Sequence, residues 1–261
     1  MAQQAQPQTS TSSAAESQSS SGQTPDKTTQ DETKDKGPLG VIVPDKNKDK
    51  DNSKNTGTSN DRLFYALPNF LSLENGTNVP PLSTKQKFKV VARGSFDYIQ
   101  VPWYGFLAAI SQAEDSEPGY GQGWGAYGKR FGAAFADGTI ENFMTGAILP
   151  SVLHQDPRFF QLGHGSFMHR TFYAVSRNFV TRTDSGGSQF NYSEIVGGGM
   201  SAFISTYGYH PSADRTVSNA VSVWGTQLGY DTMTIVVKEF WPDIHRKLSH
   251  KKAAETVQPT K

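Results

Sequence analysis

Apolar positions fall into two regimes along this chain. Residues 1–60 are built from Gln, Ser, Thr, Lys and Asp without one aromatic, whereas all 16 Phe, 10 Tyr and 4 Trp lie beyond Asn60. A segment with so little apolar surface cannot offset the entropy of ordering itself, so 1–60 reads as a disordered, low-complexity tail. Residues 61–84 are apolar but broken by Pro68, Asn75-Gly76, Pro80 and Pro81, the pattern of an extended arm lying on a core. Residues 85–250 carry helical periodicity, and 251–261 return to a disordered end.

Caps and breakers divide the helical region. Ser83 with Gln86 forms a capping box and opens a helix running toward Gly94. A second helix spans Tyr98 to Ala113, perturbed by Pro102, and Ser116 to Gly125 is a glycine-rich loop. From Ala126 to Leu149, a step of about 100° per residue puts Gly128, Gly132, Phe135, Thr139, Phe143 and Gly146 on one face. Arg130, Asp137 and Glu141 fall opposite, so the first face is expected to pack closely and the second to be wet. Asp156-Pro157 reads as a cap before one helical turn, Arg158 to Leu162. Ser166 caps a helix expected to turn Met168, Phe172, Val175 and Phe179 inward and Arg170, Tyr173 and Arg177 to the other side. Thr183 to Ser188 is a loop. Asn191 with Glu194 opens a helix with Gly197, Ser201 and Ser205 in one row, and Pro211-Ser212 begins the last one, Ala213 to Trp241, before Pro242. No stretch alternates with period two for long enough to argue a strand. The expected fold is all-α: a compact bundle of about five or six helices with Gly/Ala/Ser-rich packing faces.

Charge narrows the function classes. The chain holds 25 basic and 24 acidic residues, and no basic run interleaves with aromatics, so the footprint of a nucleic-acid binder is missing. Without cysteine there is no disulfide, thiolate chemistry or Cys-based zinc site. No run of 18 apolar residues suggests a transmembrane helix. The Gln/Pro/Ser/Thr start resembles the mature N-terminus of exported bacterial proteins whose signal peptide has been removed, which points to the periplasm or cell envelope; otherwise the chain is cytoplasmic.

Candidate chemistry centres on the last helix, where Val217, Val221, Trp224, Leu228 and Ile235 form a stripe that contains Asp231. A carboxylate there needs a cation such as Arg170, Arg177 or Arg182, either as a structural pair or as part of a pocket with a shifted pKa. His154, Asp156, His164 and His169 lie close in sequence and are the metal candidates, although none has the i, i+4 spacing of a helical site. Asp184-Ser185-Gly186-Gly187 resembles the nucleophile segment of trypsin-like serine proteases. Thr183 and Ser188 depart from that motif, and the four residues are ordinary turn chemistry. The glycines from Gly121 to Gly128 lack the strand and the Gly-Lys-Ser/Thr ending of a phosphate loop, and no cofactor motif is present.

Several strings carry a resemblance: Tyr127-Gly128-Lys129-Arg130-Phe131-Gly132-Ala133-Ala134-Phe135-Ala136-Asp137, Leu149-Pro150-Ser151-Val152-Leu153-His154-Gln155-Asp156-Pro157-Arg158-Phe159-Phe160, Thr181-Arg182-Thr183-Asp184-Ser185-Gly186, Phe190-Asn191-Tyr192-Ser193-Glu194 and Glu239-Phe240-Trp241-Pro242-Asp243-Ile244. Over roughly Lys85 to Leu248 the chain resembles a family of exported bacterial proteins with a low-complexity N-terminus. The resemblance implies export and brings no activity, cofactor or site residue. Two functions are expected. One is a non-enzymatic exported helical protein with a structural role or a protein partner at the cell envelope. The other is a hydrolase or small-ligand-binding protein with a polar pocket around Asp231, Arg177 and His154.

Overall fold

A computed structural model describes residues 58–74 and 79–256. The expected tail lies outside them except for its last residues, which are tied down: Ser59 N–H donates to the Phe70 carbonyl, and Asn60 Oδ1 accepts from Arg93. The Asn75-Gly76 turn also lies outside.

The fold is mostly helical. In chain order the elements are β1 (Arg62–Leu63), β2 (Leu67–Pro68), β3 (Ser72–Leu73), α1 (Thr84–Ser95), α2 (Gln100–Glu114) and α3 (Trp124–Phe143). A π turn (Met144–Ile148) carries α3 into α4 (Leu149–Val152). Then come β4 (Gln155–Asp156), β5 (Phe159–Phe160), α5 (Phe167–Ser176), β6 (Val180–Thr183), β7 (Ser188–Phe190), α6 (Tyr192–Gly208) and α7 (Val217–Thr256).

The arm packs as expected. Phe70 and Leu82 are buried with Val90, Val91 and Ala147, and Leu71 and Phe143 close the cluster. Full burial of such a side chain contributes roughly 1.5–3 kcal/mol, enough to hold an arm of little regular structure. The capping box at Ser83 is present in both directions. The small-residue row of α6 is also a contact: Gly197, Ser201 and Ser205 are buried, and a Cβ on Gly197 would stand 3.3 Å from the Met144 carbonyl group.

Other expectations are corrected. Short strands exist: β4, β6 and β7 form an antiparallel sheet, and β3 pairs in parallel with β5. Elements of two to four residues are too short to show a period in sequence. Arg158 to Leu162 is not a helical turn, because Asp156 Oδ1 accepts from Arg158 N–H and from its guanidinium, and the chain leaves into β5. The phase of α3 departs from the expected one at its start, while Phe143 and Gly146 of the expected packing face do pack inward. Arg130 is only 2% exposed, while a Cβ on Gly128 or Gly132 would meet nothing within 4 Å. Close approaches come at Gly138, where a Cβ would sit on the Tyr104 hydroxyl of α2, and at Gly146, where one would stand 2.7 Å from Val91 Cγ2 of α1. α5 is reversed: Arg170 is buried, and Met168, Phe172 and Phe179 are exposed. In both helices an arginine expected in water is covered, and the glycines or aromatics expected inside stand open.

Two prolines shape the site's surroundings. Pro150 has no N–H for the Gly146 carbonyl, and just before it Leu149 N–H bonds five residues back to Met144, which is the π turn. Pro242 sits inside α7, which continues through it to Thr256. The Lys238 carbonyl, four residues earlier, is taken by Gln161 Nε2 at 2.5 Å.

Candidate functional site

A cavity of about 440 Å³ lies among the arm, α1, the π turn, the β4–β6–β7 sheet and α7. Its walls hold the charged groups Asp156, Arg158, Arg177, Arg182, Glu194, Asp231 and Lys238 beside Ser193 and Thr234, with Phe159, Phe160 and Ile235 as apolar surface. The size suits a small molecule, and a few convergent polar groups in an otherwise shaped cleft are the usual form of a ligand site.

Each charged group reaches the wall for a local reason. Asn191 Oδ1 accepts from Glu194 N–H, which starts α6 and places Glu194 in its first turn. The expected capping box is therefore half made, because the Glu194 carboxyl reaches across to Asp231. Ser193 is fixed beside it: its N–H (2.9 Å) and hydroxyl (2.6 Å) both donate to Gln155 Oε1. Asp231 and Lys238 stand seven residues apart on α7, two turns along one face.

Asp231 does not pair with an arginine. Burial pushes its pKa up, and the hydrogen bond with Glu194 and the Lys238 charge pull it back. Glu194 is raised well above the carboxylate range by burial, then by the negative charge of Asp231. Lys238 is lowered by burial, against the pull of both carboxylates. Glu141 on α3 is pushed up to about 8 by burial, then by Asp231 and Asp137, and its buried Oε1 has no hydrogen-bond partner. The consistent protonation state has Glu194 carrying a proton that it donates to an ionised Asp231, with Lys238 balancing the charge. Such a pair can give a proton from Glu194 and take one at Asp231.

The other candidates go elsewhere. Arg170 donates to Glu239 Oε1 (2.8 Å) and to Asp243 Oδ2 (2.5 Å). His154, His164 and His169 are exposed, and none lines the cavity. Asp156 does line the cavity, as Arg182 does, but it is held by Arg158 (2.6 Å). Among the described residues, no three His, Asp or Glu side chains are grouped to hold a metal. Asp184 of the protease-like turn takes both of its bonds from the buried Lys87 (2.7 and 2.9 Å), and Ser185 shares a bond with Thr183. That segment is an anchor.

Sequence reasoning misses Glu194, Lys238 and Lys87. Lys87 sits three and four positions before Val90 and Val91, on the apolar face of α1, and that spacing is the one signal that could have found it. Lys238 shares the face of Asp231 in the same way.

A second polar cluster is closed. His210 bonds Glu117 Oε1 (2.8 Å) and Asp137 Oδ2 (3.2 Å), and Asp137 also accepts from the Ser205 and Tyr209 hydroxyls. Burial works against a charge on His210, but the two carboxylates outweigh it and push its pKa up to about 10. Ser205 donates to the carboxylate and not to the imidazole, so it is not set up as a nucleophile.

The chain matches no protein-family model, no curated protein and no solved structure.

Proposed function

We propose that the protein binds a small polar molecule in the cavity and that Glu194 and Asp231 act on it as a proton-sharing pair. The observation that carries this reading is the pair itself: two hydrogen-bonded carboxylates on the wall of a cavity, balanced by a lysine and not by an arginine. A buried ion pair meant only for stability would have a full set of opposite charges, as Arg170 has. Ligand binding with no chemistry and hydrolysis by an activated water both use this arrangement. The test is a thermal-shift screen of small polar metabolites against the parent and Asp231→Asn. A ligand that raises the parent's Tm should raise the variant's by less than half as much. Equal shifts in both would remove the pair from the site.

A structural or interaction role at the cell envelope is the second reading. The outward stripe of α6, Val196, Met200, Phe203, Ile204 and Tyr207, favours it, because such a contiguous exposed apolar row marks a contact surface. Export, suggested by the polar N-terminal composition and the resemblance, belongs to the same proposal. No helix among the described residues is long and apolar enough to cross a membrane. Sedimentation at rising concentration checks the stripe: self-association lost in Phe203→Glu supports it, and a monomer throughout counts against it.

A further inference from the structure

The charges on the cavity wall specify more than its polarity. Arg177 stands at the end of α5, where its Nε and Nη2 each reach only the Ser176 hydroxyl, at 3.3 Å. Its guanidinium carbon lies 4.8 Å from the centre of the Tyr173 ring. Arg62, Arg130, Arg158, Arg170 and Arg246 each hold a carboxylate. Among the described residues no carboxylate stands within ion-pair distance of Arg177. A guanidinium offers five donors in a planar fork that matches an oxyanion, and stacking on Tyr173 orients the fork without using it. The Glu194–Asp231 pair lines the same cavity, and with the Glu194 proton given to Asp231 its remaining carboxyl oxygens are acceptors, which suit the O–H donors of hydroxyl groups.

From this geometry we infer that the ligand is a small hydroxylated organic anion, its oxyanion held by Arg177 and its hydroxyls bonded to Glu194 and Asp231. The inference rests on the pocket reading above and adds the ligand's charge. Charge balance supports it: Asp156 is spent on Arg158 and Lys238 on the carboxyl pair, while Arg182 lines the cavity as well, so Arg177 leaves the lining with a positive charge that a neutral ligand would strand. Carboxylate and phosphate share this chemistry, and the experiment separates them.

The probes are D-glucuronate, D-glucose 6-phosphate and D-glucose, added to the full chain and followed by calorimetric titration and thermal shift. One or both acids should bind at least tenfold more tightly than glucose, and the better of them names the oxyanion. Arg177→Gln should erase that preference, and Arg177→Lys should restore part of it. Asp231→Asn should weaken the acids and glucose together. If glucose binds as well as the acids and Arg177→Gln changes nothing, the anion inference falls while the pocket reading stands. If none of the three binds, the inference falls. The pocket reading falls as well only if the wider metabolite screen finds no ligand sensitive to Asp231→Asn.

Discussion

Lys238 and Glu239 are neighbours on α7, and they belong to opposite kinds of charged site. Glu239 is 0% exposed and fully engaged: its oxygens accept from Leu162 N–H, Gly163 N–H and Arg170 Nε, all within 2.9 Å. Its own carbonyl accepts from Arg170 Nη2 at 2.6 Å. On the cavity side of the same helix, Lys238 answers to Asp231 and Glu194, with Glu141 beyond them and open space alongside. The first site has a donor for each acceptor. The second has the Glu194–Asp231 pair against one lysine, with Glu141 facing Asp231 and no cation of its own, so a proton stays on Glu194. Buried charge alone does not distinguish structure from function; the match between charges and partners does.

The largest effect should come from breaking the closed site. Glu239→Ala strands Arg170 and two backbone donors in a dry environment and should cost about 3–5 kcal/mol. Urea denaturation measures it. Asp231→Ala, read the same way, should cost under about 1 kcal/mol, because the carboxylate it removes repels its neighbours as much as it binds them. Similar costs for the two would show that the sites are not different in kind.

An intermediate effect should appear at alkaline pH. His210 titrates near 6.5 unfolded and about 10 folded, so its contribution to stability is complete below pH 6.5 and is lost as pH rises through 10. The parent's Tm should therefore fall over that range by more than that of His210→Ala, which has no such proton to lose. Parallel melting curves for the two proteins would deny the cluster a charged histidine.

How much of this was legible depends on what each signal measures. Caps at Ser83, Ser166 and Asn191 were readable because a side chain bonds a backbone N–H three residues on, a purely local event. The row Gly197, Ser201, Ser205 was readable because its spacing and its small size agree. Asp231 stood out as a carboxylate in an apolar stripe, and the structure places it and Arg177 in the lining of one cavity. Its partners did not stand out. Glu194 has the look of a residue fully used as half of a capping box, and Arg170, a natural partner by sequence, is taken by Glu239. The misread faces at the start of α3 and along α5 have one cause: charge is a poor proxy for exposure. Arg130 instead closes the Ser116–Gly125 loop, donating to the Gly121 (2.7 Å) and Glu117 (2.8 Å) carbonyls, and a glycine-rich loop needs such a bracket. Hydrophobic periodicity cannot see a loop return to cover a charge.

The smallest effect carries the sharpest sign. Glu141 has a pKa of about 8 in the fold against about 4.5 unfolded, raised by burial and by Asp231 and Asp137. The fold therefore prefers its protonated form, and the stability this contributes is present below pH 4.5 and lost as pH rises through 8. Glu141→Gln keeps the shape and removes the titration. At pH 4 the two proteins should melt within about a degree of each other, and at pH 8.5 the variant should melt higher by roughly 2–5 °C. A carboxylate in the closed site would behave in the opposite way: Glu239→Gln should lower Tm at pH 8.5, because there the charge is matched. The same substitution should thus stabilise at Glu141 and destabilise at Glu239. If Glu141→Gln also lowers Tm at pH 8.5, Glu141 has a cation partner after all, and the excess of carboxyl groups behind Asp231 is not there.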